Sequence, residues 1–154
     1  FPKLISETHR VYALSTPDYW IDVGRPSTYI QAHRDILDGA FEQPLGKNVG
    51  DHIWSADGTP LPPELEAHGP IYLGAGVQIE PGAHIGPYAV LYDGCKIGRD
   101  ATVASSILWS DCFVGHGASV RDAILGLEVV VEPGAVVEPG SVLGRDERVA
   151  AKAK

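Results

Sequence analysis

The sequence has 154 residues, which is enough for one ordinary domain or for a small domain with part of another. Hydrophobic residues make up 44% of the chain and charged residues 21%, a balance that excludes bulk disorder. The net charge of −8 argues against a protein that binds phosphate backbones, which needs a basic face. We therefore expect no nucleic-acid partner.

The composition also bears on the cellular setting. No apolar run reaches the roughly 20 residues needed to cross a bilayer, so we expect no membrane partner. Cys95 and Cys112 are too few for a secreted disulfide framework and lack the spacing of a metal site, so we expect a reducing cytoplasm. The sequence begins with Phe1 and contains no Met, which indicates a piece of a longer protein.

Residues 1–24 predict the end of a larger sheet domain. Residues 11–14 (VYAL) predict a short strand, and residues 19–24 (YWIDVG) predict a second apolar strand that contains Asp22. Two lone strands cannot bury their apolar faces. We interpret residues 1–24 as the tail of a domain whose earlier strands lie outside this sequence.

Residues 25–70 predict a helix followed by a connector. Arg25-Pro26 opens the helix, and Gly39 stands just past its end. The residues at helical spacing between them are Tyr29, Ile30, His33, Ile36 and Leu37. Residues 40–70 are rich in Pro and Gly and predict an irregular connector with one short strand at 52–54.

From residue 71 to about 150 the sequence predicts a β-helix, with a polar tail at 151–154. An aliphatic residue recurs every six positions, and triangular coils of three such units sort the aliphatic residues into three columns. Residues in one column would lie about 4.8 Å apart, the spacing of paired strands. The columns are Leu73, Leu91, Leu108, Leu125 and Leu143; Ile79, Ile97, Val114, Val131 and Val149; and Ile85, Val103, Val120 and Val137.

A small residue four positions after each aliphatic one is expected at the narrow inward corner. Cys95 and Cys112 fall there, one above the other, as small packing residues. Two units are five residues long, and they are expected to place Ile107 and Ile124 at this inward position. The predicted fold class is thus mainly β, a single-stranded parallel β-helix of hexapeptide repeats, preceded by a short αβ remnant.

Three stretches resemble a known family. Residues 19–26 (YWIDVGRP), followed by Tyr29, Ile30 and Ala32, resemble the segment that closes the catalytic domain of sugar-1-phosphate nucleotidyltransferases. Residues 1–4 (FPKL) are similar to the stretch just upstream, and residues 105–109 (SSILW) resemble part of the family's β-helix. The resemblance is to mannose-1-phosphate guanylyltransferases and their glucose-1-phosphate relatives that carry a C-terminal hexapeptide repeat.

The resemblance implies a left-handed β-helix and an enzyme that joins an NTP to a sugar 1-phosphate, releasing pyrophosphate. The product expected for the full enzyme is GDP-mannose or an NDP-glucose, with the β-helix serving assembly, as a homo-oligomer, or regulation. The resemblance also implies that Asp22 holds Mg²⁺ on the phosphates. The family's glycine-rich nucleotide loop is absent, because residues 74–76 (GAG) lie inside the repeat. We therefore expect no catalytic residue, bound cofactor or activity in this chain alone.

Two other functions stay open. One is a non-catalytic assembly or regulatory module related to these enzymes. The other is a hexapeptide acyltransferase, in which His84 or His116 would act as general base, although no protruding loop interrupts the repeat. Trp109 faces outward and marks either a contact surface or packing against the connector. The remaining histidines, His9, His33, His52 and His68, show no metal-ligand spacing.

Overall fold

The computed structural model describes residues 2–6, 12–41, 43–62 and 65–152. Its helices are α1 (Pro2–Ser6) and α2 (Pro26–Leu37), and in this part of the chain no helix is long and apolar enough to cross a membrane. The strands are β1 (Lys47–Gly50), β2 (Ile53–Ser55), β3 (Glu66–Ala67), β4 (Ile71–Leu73), β5 (Gln78–Ile79), β6 (His84–Ile85), β7 (Ala89–Leu91), β8 (Lys96–Ile97), β9 (Thr102–Ala104), β10 (Ile107–Leu108), β11 (Phe113–Val114), β12 (Ser119–Arg121), β13 (Ile124–Leu125), β14 (Val130–Val131), β15 (Val136–Val137), β16 (Val142–Leu143) and β17 (Arg148–Val149).

The strands form three sheets that wrap into one β-helix. Face 1 has the order β1-β2-β4-β7-β10-β13-β16, face 2 has β17-β14-β11-β8-β5 and face 3 has β15-β12-β9-β6-β3. All pairs are parallel except β1 with β2. Leu91 pairs in register with Leu73 on one side and Leu108 on the other, and the other two columns are aligned in the same way. The predicted columns are confirmed.

The interior of the β-helix is a continuous apolar core. Leu91, Val103 and Val114, one from each face, are completely buried. Cys95 and Cys112 are also completely buried and free, and their Sγ atoms contact the carbonyl oxygens of Trp109 at 3.2 Å and Gly126 at 3.0 Å. The prediction that both cysteines point inward is confirmed, because burial without a disulfide is what packing requires.

The five-residue units depart from prediction in one respect. Ile107 pairs with Val90 and faces outward, while Ser106 is completely buried at the inward corner. The Ser106 hydroxyl donates to the carbonyl oxygen of Ala104 at 2.8 Å and accepts the N–H of Ala123 at 3.1 Å. The prediction that Ile107 and Ile124 point inward was wrong. The five-residue unit is shortened in its turn, so the strand keeps its alternation of inward and outward side chains.

The β-helix begins earlier than residue 71. Ser55 of β2 pairs with Leu73, and Ala67 of β3 pairs with Ile85, so parts of the predicted connector belong to the first coil. The short strand predicted at 52–54 is present one residue later. The hexapeptide period misses this coil because a Pro-rich loop separates β2 from β3.

The strands predicted at 11–14 and 19–24 are not present among the described residues. Residues 12–14 and 19–24 are irregular, and Val11 lies outside the described part of the chain. Leu14 is 93% exposed and Trp20 82% exposed. A strand needs a neighbour for its backbone hydrogen bonds, and these segments pair with no other described strand. Tyr19 holds the segment to α2, since its hydroxyl donates to Asp35 at 2.6 Å.

Helix α2 forms where the sequence predicts it. Its first residue is Pro26, and Gly39 follows its end with a φ of 76°, a conformation that glycine adopts without strain. Leu37 packs with Val90 and Ile107 on the outside of face 1. The helix therefore covers an apolar outer surface of the β-helix.

We expect the substitution Leu91→Asp to unfold the β-helix. It removes about 2 kcal/mol of apolar burial and adds a charge whose burial costs several kcal/mol more, against a typical domain stability of roughly 5–15 kcal/mol. Circular dichroism and urea titration would measure the loss. Val136→Asp is the matched control, because Val136 is 55% exposed on face 3, and it should change stability by about 0.5 kcal/mol or less. A cooperative, native-like Leu91→Asp melt would contradict the inward stack.

Candidate functional site

The outer surface of face 1 is lined by apolar and aromatic residues from β2 to β16. Its outward residues pair from strand to strand in one continuous row: Trp54, Tyr72, Val90, Ile107, Ile124 and Val142. Outward positions of a solvated sheet are normally polar. Helix α2 covers the middle of the row, and Val142 at its end stays 55% exposed. The row is therefore a docking surface that α2 occupies only in part.

Four rings join α2 to this face. The Trp109 Nε1–H group donates to the Tyr29 hydroxyl at 3.2 Å, while the indole remains 41% exposed. His33 Nδ1 lies 2.9 Å from the Tyr29 carbonyl oxygen, and its Nε2 lies 3.2 Å from the Tyr92 hydroxyl. A carbonyl oxygen only accepts, so the neutral His33 ring carries its proton on Nδ1 and accepts from Tyr92 at Nε2. Trp109 thus packs against the segment predicted as helix and connector and also presents an exposed edge.

Burial sets the ionisation of these rings. It lowers the pKa of His33 below its usual value of 6.5, although the hydrogen bond to Tyr29 opposes this effect. Burial, together with the neighbouring Tyr29, raises the pKa of Tyr92 to about 12. His33 and Tyr92, two of the four rings that join α2 to face 1, are therefore both neutral near pH 7. We call this set of four rings the α2 junction.

A second polar contact fixes the other end of α2. The Arg34 guanidinium lies over the Tyr88 ring, 5.4 Å from its centroid, and 3.6 Å from an Asp122 carboxylate oxygen. The Tyr88 hydroxyl donates to Asp38 at 3.1 Å. The sequence analysis did not identify these residues. Bulky aromatic side chains at outward positions of the repeat could have indicated that another segment covers this surface.

Asp22 lies in the exposed segment that precedes α2. Within the described ranges no group of three or more His, Cys, Asp or Glu side chains is placed to hold a metal ion. Asp22 thus offers one carboxylate, and its role in binding Mg²⁺ stays a prediction.

The two repeat histidines lie on different coils. His84 on face 3 has its Nδ1 atom 2.6 Å from a Glu66 carboxylate oxygen, and about half of its side chain is exposed. His116 Nδ1 lies 2.9 Å from the carbonyl oxygen of Arg99 and also lies near Asp100. The structure therefore does not combine them into one site, and only His84 forms a close pair with a carboxylate.

The other histidines play separate parts. His33 belongs to the α2 junction, while His52 and His68 lie in the first coil, where the backbone N–H of His68 donates to the Ile85 carbonyl oxygen. His9 lies outside the described residues.

A protein-family model described as the GMPPB C-terminal domain matches residues 67–153, more than half of the chain. The chain belongs to this family. Its resemblance to sugar-1-phosphate nucleotidyltransferases is confirmed by curated relatives as well.

Those relatives are much longer than this chain. A UTP–glucose-1-phosphate uridylyltransferase from Synechocystis is 28% identical over 111 residues, which are 70% of this chain and 29% of that protein. A bifunctional sugar-1-phosphate nucleotidylyltransferase/acetyltransferase from Sulfurisphaera tokodaii is 27% identical over 69% of this chain and 28% of its own length. A mannose-1-phosphate guanylyltransferase from Mycobacterium tuberculosis is 26% identical over 63% of this chain and 27% of its length. The chain therefore spans less than a third of each.

A solved structure supports the fold. A mutant of perosamine N-acetyltransferase from Caulobacter crescentus, in complex with CoA and GDP-perosamine, matches with a TM-score of 0.62 over 98% of this chain and 66% of that one. The sequence identity is 19%, so the likeness concerns the fold. It confirms the left-handed β-helix.

We expect the stability of this chain to fall as the pH drops below about 6.5, partly through His33. Its pKa is lowered in the folded state, so between the folded and unfolded pKa values the unfolded chain binds more protons, and acid favours unfolding. Free energies of unfolding in urea between pH about 8 and pH about 5 would measure the slope. His33→Gln should flatten it. Equal slopes for wild type and His33→Gln would contradict the assignment.

Proposed function

We propose that this chain is the C-terminal module of a sugar-1-phosphate nucleotidyltransferase, which forms an NDP-sugar and pyrophosphate from an NTP and a sugar 1-phosphate. GDP-mannose and an NDP-glucose are the products that the relatives' names support. The observation that carries the proposal is the family match across the β-helix, joined through α2 to a segment that resembles the end of the catalytic domain.

In this proposal the β-helix is a rigid platform for assembly or regulation, and catalysis resides in a preceding domain. Helix α2 is fixed to face 1 by Trp109, His33 and Arg34, so the segment before it leaves the platform from a defined place. Leu14 and Trp20 in that segment are largely exposed. Exposed apolar side chains of this size suit a surface that another domain covers.

Asp22 would supply one oxygen ligand to Mg²⁺ in the complete enzyme. A single carboxylate is a fitting but insufficient part of such a site, because Mg²⁺ prefers several oxygen ligands in near-octahedral geometry. When bound, Mg²⁺ would neutralise charge on the phosphates. We assign the remaining ligands to the preceding domain.

A pyrophosphate-release assay tests this function. The full-length protein, given GTP with mannose 1-phosphate or UTP with glucose 1-phosphate, should release pyrophosphate with at least one pair. Residues 1–154 alone should release none. Turnover by this chain alone would place catalysis within it and overturn the division of roles.

The same assay tests Asp22. In the full-length protein, Asp22→Asn should lower kcat by about 100-fold or more if its carboxylate holds the metal, since one electrostatic contact to the reacting phosphates is commonly worth that much. Asp51→Asn, which changes another exposed carboxylate, is the matched control and should keep full activity. Unchanged kcat in Asp22→Asn would remove the metal role.

A second candidate function is acyl transfer, and the pair formed by Glu66 and His84 favours it. Nδ1 of His84 is held by the carboxylate, so Nε2 is free to accept a proton. In such a reaction an amine attacks the acyl-CoA carbonyl and forms the C–N bond while His84 takes the amine proton; the C–S bond then breaks, and His84 returns the proton to the departing thiolate, which leaves as the CoA thiol.

Calorimetric titration with acetyl-CoA separates the two candidates. An acyltransferase should bind acetyl-CoA and transfer the acetyl group to an amino-sugar nucleotide, and His84→Asn should abolish transfer while His116→Asn retains it. Lack of acetyl-CoA binding would remove this candidate and leave the nucleotidyltransferase module.

A further inference from the structure

The C-terminal end of the described β-helix is an open coil. β16 on face 1 and β17 on face 2 stand last in their sheets, and each pairs with a described strand on one side only. Leu125 and Val131, one coil below, are completely buried. Their counterparts Leu143 and Val149 in the last coil are partly exposed. Such an edge presents unpaired backbone groups and apolar side chains, which are the features that another β-strand binds.

The opposite end of face 1 is closed by the chain itself. β1 pairs with β2 in the antiparallel direction, and its register shifts between Asn48 and Gly50. Because β1 occupies the outer edge of β2, no further parallel coil stacks there. Among the described residues no strand covers β16 in this way. Protection of the C-terminal end therefore falls to side chains.

Glu147 departs from the repeat at this end. The position four residues after the inward leucine of face 1 holds Cys95, Cys112 and Val129 on the three preceding coils, and all three are completely buried. The last coil has Glu147 there, and this residue is exposed. Another coil placed over it would strip water from the carboxylate, which is strongly unfavourable for an unpaired charge.

The Glu147 carboxylate also takes the place of an acceptor that a further coil would supply. In the coils below, the N–H group after the inward leucine donates to the leucine carbonyl oxygen of the next coil at 2.9 Å, as in the pairs Tyr92 with Leu108, Trp109 with Leu125, and Gly126 with Leu143. Gly144 is the equivalent residue of the last coil, and its N–H donates to Glu147 Oε1 at 2.8 Å. The side chain thus satisfies this edge donor and stands where the carbonyl oxygen of another strand would bind.

Net charge does not protect this end. Residues 142–149 contain two arginines and two acids, so the strands of the last coil carry no net charge. Lys152, just beyond them, lies 2.9 Å from a Glu138 carboxylate oxygen. Two such ends do not repel each other through net charge, and the specific obstacle to their contact is the carboxylate at position 147.

We propose that Glu147 is a cap that prevents the C-terminal coil from pairing end to end with a second copy of this chain. A second copy is the partner that fits, because its own last coil has the same strand spacing and the same apolar centre. A twofold axis would bring Leu143 and Val149 of both copies together. The cap goes beyond the proposed function, since it leaves the outside of face 1, and not the coil end, for assembly.

Sedimentation equilibrium of the variant Glu147→Val tests the proposal. The substitution restores the residue type of Val129 one coil below and frees the Gly144 N–H for a partner's carbonyl oxygen. We expect the variant to dimerise about tenfold or more tightly than wild type. Equal association of wild type and Glu147→Val would overturn the cap.

Glu132→Val is the matched control. It makes the same substitution at a partly exposed position one coil from the end, so it should keep the wild-type mass. Circular dichroism would confirm that both variants are folded. A control that associates as strongly as Glu147→Val would show a general effect of lost charge and overturn the cap.

Second substitutions localise the contact. In the Glu147→Val background, Leu143→Lys places a charge at the open end and should restore the wild-type mass, whereas Val136→Lys, on the side of face 3, should leave the dimer intact. Glu147→Gln keeps an oxygen acceptor for the Gly144 N–H and should also keep the wild-type mass. The cap would be overturned by the reverse effect of the two lysine variants, or by Glu147→Gln associating as Glu147→Val does.

The wild-type chain provides one more test. A wild-type oligomer that Leu143→Lys dissociates would show that the end is already paired and would overturn the cap, whereas an unchanged mass supports it. Pyrophosphate release by the full-length protein is measured independently of these masses. Failure of the cap and failure of the proposed function are therefore distinguishable.

Discussion

The in-register stacking of inward aliphatic residues is the constraint on which the rest of this molecule depends. Each coil rises by one strand spacing, about 4.8 Å, so every inward residue touches its counterparts above and below. Leu91 between Leu73 and Leu108 shows the consequence, since a polar group there has no partner within reach. A residue lost from a coil must therefore be absorbed at a corner, as at Ser106, and not within a strand.

The same alternation that fills the core determines what lies outside. Because Leu108 points inward, Ile107 must point outward, and on face 1 these outward residues are apolar on successive coils. An apolar outer row is costly in water unless something covers it. Helix α2 provides that cover near Val90 and Ile107 and thereby becomes part of the platform. The apolar outer surface of face 1 that α2 covers is thus a consequence of strand register and not of an inserted loop.

The repeating part of the structure could be predicted well because the six-residue period corresponds directly to one side of a triangular coil. The three columns, α2 and the inward cysteines follow from spacing and side-chain size alone. The first coil was missed because its strands are separated by a loop that breaks the period, although Ser55 and Ala67 occupy regular positions in the ladder. The segments predicted as strands are irregular at 12–14 and 19–24, because strand propensity has no effect without a partner strand.

The site was harder to predict because it depends on contacts between distant segments. Trp109 and Tyr29 lie 80 residues apart in sequence, and their hydrogen bond exists only once α2 is seated on face 1. Periodicity showed that Trp109 faces outward, but it contained no information on which segment approaches it.

The corner at Tyr88 shows how the platform and α2 stabilise each other. Tyr88 has a φ of 57°, a left-handed conformation that costs a residue other than glycine roughly 1–2 kcal/mol. Ser105, Asp122 and Gly140 occupy the corresponding corner on the next three coils, with φ values of 49°, 49° and 82°, so the fold requires this conformation and glycine would satisfy it more cheaply. Tyr88 offsets the cost because its ring lies beneath Arg34 and its hydroxyl binds Asp38. Those contacts exist only with α2 in place, so the cost of the Tyr88 conformation is offset when α2 is docked and is uncompensated when α2 is displaced.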